Sequence, residues 1–288
     1  MSPEAHTILQ SWSSPVWANV ALALTALVYV RGWLRIWRLL PDVIPIWRLT
    51  AFLSGLFSLW IAIASPLAAF DDVSLTVHMI QHLLLMAVVP PLVLLGAPSL
   101  PLLRGLPQWV VHTAVGPFLR WRPIKSLGQF LSSPAIAWLV ASVALIVWHI
   151  PAAFELALRS DSWHEVEHIC FLSTSLLFWW PAIQPFPSVP AWPPWSIPLY
   201  LFIGALPGGA LGAFLTFCDR VLYPSYAAAP MLFNISPMDD QIIAGSLMWV
   251  VGTFVYTVPA VITTFVLLSP QQGRTHGQRQ IRLPRIVA

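Results

Sequence analysis

The chain has 288 residues, of which 58% are hydrophobic and only 9% are charged, and its mean hydropathy is +0.76. About 25% of the residues of a water-soluble domain are charged, so this composition excludes an ordinary soluble protein and predicts a polytopic membrane protein. The formal net charge of +3 could suggest nucleic-acid binding. Because the basic residues lie between apolar runs, we expect the lipid bilayer as a partner and no nucleic acid.

Seven predominantly apolar runs follow one another along the chain, and a helix that crosses a bilayer needs about 20 such residues. They lie near residues 16–37, 48–67, 73–96, 134–151, 164–182, 196–217 and 238–268. The pattern predicts an all-α fold, with seven transmembrane helices in a single helical-bundle domain over residues 1–288. The first run follows a segment with an acid and no basic side chain, so we expect a retained span rather than a cleaved signal peptide.

Prolines and glycines within the runs predict where the helices bend and pack. Pro90 and Pro91 should kink the third helix, and Pro151 should end the fourth. The sixth run has a ridge of small residues at intervals of four, which suits close helix packing. This ridge consists of Gly204, Gly208 and Gly212.

Basic residues occur in alternate connections between the runs, which predicts the orientation in the membrane. These residues are Arg31, Arg35, Arg38 and Arg48, then Arg104, Arg120, Arg122 and Lys125, then Arg274, Arg279, Arg282 and Arg285. We expect their segments on the cytoplasmic side of a bacterial inner membrane, with the N-terminus outside and the C-terminus in the cytoplasm. Most acids fall on the opposite side, where Asp71 and Asp72 belong to a face that should attract cations.

Five histidines from three predicted helices lie at a similar depth near the outer side. They are His78 and His82 in HMIQH, His149 in WHIP, and His164 and His168 in HEVEH. Residues i and i+4 lie on one face of a helix, so each HxxxH pair can direct two imidazoles toward one centre. Ionisable groups within spans are costly and usually face the bundle interior, a cavity or a partner. We therefore predict that these five histidines bind a metal.

Further polar and sulfur-containing residues follow the same helix faces. The additional candidates, as metal ligands or as neighbours that support the ligands, are Met86, Met238, Asp239, Asp240, Gln241 and Met248. Methionine is also a common filler of core gaps, and aspartates often cap helix N-termini. Both interpretations stay open for these residues.

Imidazole ligands suit zinc, copper, iron and nickel, and added thioethers favour Cu(I). The sequence therefore predicts copper, with haem as the alternative cofactor, because histidines on two transmembrane helices can ligate haem iron. No P-loop, G-x-S-x-G elbow or G-x-G-x-x-G motif occurs in the chain. We therefore expect neither an ATP-driven pump nor an enzyme.

Four segments, in order, resemble the multi-span CtaG family, the assembly factors of caa3-type cytochrome c oxidases. They are HMIQHLLLMAVVPPLVLLGAP, WHIPAAFELAL, HEVEHICFLSTSLLFWWP and LYPSYAAAPMLFNISPMDDQIIAGSLMWVVG, and the resemblance extends over about residues 50–268. It implies seven spans and a role in maturing the oxidase, usually interpreted as copper delivery to its metal centres. One departure is Phe154, since this family often has a tyrosine after its WHxP motif.

The resemblance also carries site residues over to this chain. The family's histidine positions correspond to the five histidines named above, and its SPMDDQ block adds Met238, Asp239, Asp240 and Gln241. The resulting hypothesis is a membrane protein that captures copper at the outer side, with a copper donor protein as a possible source, and passes it to oxidase subunits. The alternatives are a haem-binding redox protein, a copper or cation permease, and a structural scaffold for oxidase assembly.

Overall fold

The computed structural model describes residues 14–186, 192–229 and 235–269, together with positions 6, 9 and 12. Over these residues every regular element is a helix and none is a strand, which confirms the all-α prediction. The basic tail that contains Arg274, Arg279, Arg282 and Arg285 lies outside the described residues, as does His276. The predicted orientation of the two termini therefore stays a prediction.

Seven long helices in the described part of the chain follow the seven predicted runs. They are α1 (Val16–Ile36), α2 (Ile46–Ala64), α3 (Leu75–Leu95), α4 (Pro134–Trp148), α5 (Asp161–Ile183), α6 (Ser196–Phe217) and α7 (Pro237–Leu268). Short helices connect them: Pro66–Phe70, Ser99–Gly105, Gln108–Val110, Val111–Val115, Gly116–Arg120, Arg122–Leu131, Pro151–Leu158 and Pro224–Ala228.

Six of these long helices are long and apolar enough to cross a membrane, which is typical of a multi-pass membrane protein. The exception is α4, whose 15 residues extend over only about 22 Å. It meets the short helix Arg122–Leu131 at a bend of 76°, and this pair taken together would make a seventh span. The fourth helix ends at Trp148 and is therefore shorter than the predicted run. Pro151 is the first residue of the next short helix.

The third helix contains a wide turn instead of a simple proline kink. A π-helical turn at Leu84–Val88 separates the two α-helical parts of α3 and lies just before Pro90. Proline lacks an amide hydrogen and its ring crowds the preceding turn, so a wider turn accommodates it. Within this turn, the carbonyl oxygen of Met86 accepts a hydrogen bond of 3.1 Å from Nε1 of Trp179. The turn is thus attached to α5 one helical turn beyond His82.

The sixth and seventh helices pack closely through glycine. A Cβ atom on Gly212 would lie 2.8 Å from the carbonyl oxygen of Gly245, and a Cβ atom on Gly245 would lie 2.8 Å from that of Gly212. Any larger side chain would push the two backbones apart. Gly204, from the same predicted ridge, contacts the ring of Phe178 in α5 instead. The glycines of this ridge therefore pack against two different helices, α5 and α7.

Asp240 joins the start of α3 to α7. Its carboxylate accepts hydrogen bonds from the backbone N–H groups of Leu75 (2.7 Å) and Thr76 (3.1 Å) and from the hydroxyl of Ser74 (3.2 Å). The free N–H groups at a helix start carry a partial positive charge, so a carboxylate stabilises this end. The bond network holds the first turn of α3, and with it His78, at a defined height against α7.

Candidate metal centre

Two histidines of α3 and one glutamate of α5 meet in the interior of the bundle. Nε2 of His78 lies 3.7 Å from Oε2 of Glu167, and Nε2 of His82 lies 3.6 Å from Oε1 of Glu167. One donor atom from each residue lies within 4.8 Å of the other two. The side chains of His78 and Glu167 are 0% exposed and that of His82 is 2% exposed. Imidazole nitrogens and a carboxylate oxygen in such proximity can hold one metal ion.

The other three predicted histidines surround this triad. The ring centroid of His164 lies 5.1 Å from that of His78, and the rings of His149 and His168 lie 5.7 Å and 5.9 Å from that of His82. His164 and His168 are themselves 4.2 Å apart. The structure therefore brings together all five histidines, which α3, α5 and the end of α4 supply.

Many buried donor and acceptor atoms in this cluster have no hydrogen-bond partner among the described residues. They are Nδ1 and Nε2 of His78, Nδ1 and Nε2 of His82, Nε2 of His149, Nε2 of His164, Nε2 of His168, and both carboxylate oxygens of Glu167. Buried polar atoms in proteins nearly always have a partner, because burying an unpaired one costs free energy. Such a concentration is typical of a metal site and unlike a structural hydrogen-bond network.

His149 is held in one orientation by the backbone. Its Nδ1 lies 2.8 Å from the carbonyl oxygen of Leu145, an arrangement in which Nδ1 carries the hydrogen and donates it. Nε2 is then left with its lone pair, the form in which imidazole binds a metal. The backbone carbonyl oxygen of His149 also accepts a hydrogen bond of 3.1 Å from the hydroxyl of Tyr223.

Aromatic rings form one wall of the cluster. The ring of Phe154 lies 4.9 Å from that of His78 and stacks at 4.0 Å on Tyr223. Phe171 lies 4.6 Å from His82. Tyr223 places a phenol beside Phe154. These rings exclude water, and charges in such surroundings interact more strongly than in water.

Glu167 belongs to the cluster although the sequence pattern places it among the acids of the outer face. The segment HEVEH opens a helix, where acids commonly face water, and this favours the surface interpretation for both of its glutamates. Glu165 is indeed exposed, whereas Glu167 is buried. Spacing could have indicated Glu167 as a site residue, because it lies three residues after His164 and so shares its helix face.

Asp71 lies closer to the histidines than its predicted place on a cation-attracting face suggests. It is 6% exposed, in the connection between α2 and α3, and its Oδ2 lies 3.9 Å from Nε2 of His164. Burial, and to a smaller extent the charge of Asp72, raises the pKa of Asp71 to about 7. Its backbone carbonyl oxygen accepts a hydrogen bond of 2.7 Å from Tyr226. Asp72 is exposed, and its predicted place on the outer face stays a prediction.

The candidates at the start of α7 have bonding partners of their own. Besides the contacts of Asp240 with α3, the carboxylate of Asp239 accepts a hydrogen bond of 2.6 Å from the hydroxyl of Ser236. Asp240 therefore caps the start of α3, whereas Asp239 bonds to Ser236, the residue that caps α7. Met238 is half-buried in the same turn.

Gln241 is fully buried and is bonded to the segment before Tyr223. Its Oε1 accepts a hydrogen bond of 2.8 Å from the N–H of Leu222. Its Nε2 donates to the carbonyl oxygens of Leu215 (3.3 Å) and Arg220 (3.0 Å). This amide therefore stabilises the segment that carries Tyr223 and Tyr226 over the cluster.

The two remaining methionine candidates lie on the other side of His82. Met86 and Met248 line a cavity of about 50 Å³ that is also bordered by His82 and His149. The cavity is thus continuous with the histidine cluster through shared side chains.

Comparison with known proteins identifies the family. Residues 27–269 match the family described as cytochrome c oxidase caa3 assembly factor. An uncharacterized protein of Mycobacterium leprae is 26% identical over 252 residues, which cover 86% of this chain and 37% of that protein. Uncharacterized proteins of Mycobacterium bovis and Mycobacterium tuberculosis are each 26% identical over 296 residues, which cover 97% of this chain and 42% of theirs.

The chain spans about two fifths of the length of these curated relatives. No solved structure matches it significantly. The family match extends over most of the chain and includes all five clustered histidines and Glu167. The chain belongs to the caa3 cytochrome c oxidase assembly factor family.

Proposed function

We propose that this protein binds Cu(I) between His78, His82 and Glu167 and delivers it to subunits of a caa3-type cytochrome c oxidase. The observation that carries this proposal is the group of buried nitrogen and oxygen atoms without hydrogen-bond partners among the described residues. His149, His164 and His168 add further imidazoles around the same point. Membership of an oxidase assembly family supports the oxidase as the recipient of the copper.

The charge of the site favours a monovalent ion. Glu167 is 0% exposed and is the carboxylate nearest to both imidazoles of α3. A carboxylate and Cu(I) together are electrically neutral, which lowers the cost of burying the ion in a low-dielectric interior. Glu167 alone would leave a divalent ion with a net positive charge. The nearby thioethers of Met86 and Met248 also suit Cu(I) better than zinc.

A gradient of exposure supports entry past His164. The side chain of His164 is 18% exposed, and it lies between Asp71 and the fully buried His78. A cation that reaches His164, beside Asp71, can be passed on to the triad. Because the cluster has more imidazoles than one ion needs, single ligands can be exchanged without complete release. Such exchange is what a protein that hands on its metal requires.

The geometry gives less support to the other hypotheses. Rings of neighbouring histidines lie 4.2 to 5.9 Å apart, which leaves no flat space for a porphyrin between two of them. A permease needs polar groups along its whole path. In the described residues, however, the buried histidines and carboxylates all lie at one end of the bundle. The proposed role is that of a carrier, and it includes no catalysed reaction.

Oxidase maturation in cells tests the delivery step. In a strain without this protein, the chain or its variants are expressed at equal levels, the oxidase is purified, and its copper is measured. We expect full copper with the native chain and with His112→Ala, which changes an exposed histidine outside the cluster. We expect copper-deficient oxidase with His78→Ala/His82→Ala. Full oxidase copper with that double variant would contradict delivery and support a structural scaffold.

A further inference from the structure

The cavity beside the histidine cluster has an unusual combination of walls. It has a volume of about 50 Å³ and lies between α3, α4, α6 and α7. The imidazole and thioether side chains in its wall are those of His82, Met86, His149 and Met248. A site needs roughly 10–15 Å³ to hold one water molecule, so a single bare ion fits here without rearrangement of the helices.

His149 presents a free lone pair in this region, and His82 borders it. His149 is 5% exposed, its Nδ1 is bonded to the carbonyl of Leu145, and its Nε2 has no partner within the described parts of the chain. His82 is 2% exposed and neither of its ring nitrogens has a partner there. Because Nε2 of His82 approaches Glu167 while its ring borders the cavity, this residue connects the triad to the cavity.

The two methionines in the wall of the cavity also belong to the apolar core. Methionine in a core normally closes an irregular space. Met79, also on α3, does so: it is 0% exposed and packs against other apolar side chains. Met86 and Met248 pack with the same apolar cluster, and in addition they share the wall of the cavity with His149. Two thioethers and one imidazole form a donor set that selects Cu(I) over harder cations.

We propose that this cavity is a second Cu(I) position, distinct from the triad, at which Met86, Met248 and His149 hold the ion while His82 borders it. The proposal rests on copper binding at the triad, from which His82 leads into the cavity. Among the described residues no carboxylate lines the cavity, so an ion there keeps its positive charge and should be held less tightly than beside Glu167. A weaker position next to a tighter one is suited to releasing copper toward a recipient.

The test is a Cu(I) titration of the detergent-purified full chain against a competing chelator, combined with X-ray absorption at the copper edge. We expect a tight ion and a weaker ion, with sulfur neighbours in the spectrum only when the weaker position fills. Met86→Leu/Met248→Leu should lose the weaker ion and the sulfur signal while keeping the tight ion. These substitutions conserve volume, and Met79→Leu is the matched control that should keep both ions.

Each result decides between the two sites. A single tight ion with only nitrogen and oxygen neighbours in the native chain would overturn the second position and leave the triad standing. Retention of both ions and of the sulfur signal in the double methionine variant would also overturn it. Absence of bound copper from the native chain would overturn the triad and the second position together.

Discussion

Oε1 of Glu167 lies 3.6 Å from Nε2 of His82 in surroundings that exclude water, and neither atom has a hydrogen-bond partner in the described residues. A structural network would satisfy these atoms, because an unpaired buried polar group lowers stability. A metal ion between them would use both lone pairs and balance the carboxylate. This one contact between α3 and α5 is therefore the simplest reason to regard the cluster as a metal site.

Glu167→Gln removes the charge of the triad while keeping almost the same shape. We expect the affinity for Cu(I) to fall at least tenfold, which corresponds to about 1.4 kcal/mol, because the buried ion loses its counter-charge. The dissociation constant is measured by chelator competition on purified protein. Glu165→Gln is the control, since Glu165 is exposed on the same helix. Equal affinities in the two variants would refute a ligand role for Glu167.

His78→Ala/His82→Ala removes both imidazoles of α3 from the triad. We expect the tight copper ion to be lost, since the carboxylate and the outer histidines alone hold Cu(I) weakly. Elemental analysis of copper-incubated protein measures the loss. His112→Ala, at an exposed position, should retain full copper. His276→Ala should retain it too, as the sequence predicts, although His276 lies outside the described residues.

Asp240→Ala tests the capping role of this carboxylate. Loss of its bonds to Leu75, Thr76 and Ser74 should reduce the free energy of unfolding by about 1–2 kcal/mol. Thermal unfolding in detergent measures the change. Asp42→Ala is the comparison, because Asp42 is exposed and outside the cluster. If Asp240→Ala had normal stability but no copper, Asp240 would be a ligand and not a cap.

Gly245→Ala should disturb the close contact between α6 and α7. The added Cβ would lie 2.7 Å from the backbone nitrogen of Thr216 and 2.8 Å from the carbonyl oxygen of Gly212. We expect a loss of about 1–3 kcal/mol in stability, as for other overpacked sites. Gly252→Ala, in the same helix, places its added Cβ more than 4 Å from every other helix in the described residues and should be neutral or slightly stabilising. Thermal unfolding of both variants distinguishes packing from helix propensity, and equal melting temperatures would contradict the packing account.

Hydropathy predicts much of this fold, because a membrane-spanning helix must be long and apolar. Six of the seven predicted runs form helices of that kind. The fourth does not, since its length depends on where Pro151 interrupts the chain, and hydropathy is insensitive to that. The pairing of Gly212 with Gly245 was also beyond prediction from the sequence. Helix neighbours depend on tertiary packing, whereas small residues indicate only that some close contact exists.

The candidate site was likewise predictable only in part from the sequence. Spacing within HMIQH and HEVEH predicts imidazoles on one helix face, and the structure gathers all five histidines. This reasoning did not predict Glu167 as a site residue, because an acid near a helix start also suits a solvent-facing position. For Asp240 the capping and ligand interpretations share the same sequence pattern. Only the position of the N-terminus of α3 beside its carboxylate distinguishes them.

The most direct test of the central claim is the metal content of the detergent-purified chain after incubation with Cu(I), with an absorption spectrum of the same sample. We predict at least about one copper ion per chain at the His78, His82 and Glu167 triad, and no Soret band. A Soret band with little copper would make the histidines haem ligands and contradict copper delivery. Neither copper nor haem in the native chain would contradict the metal centre itself.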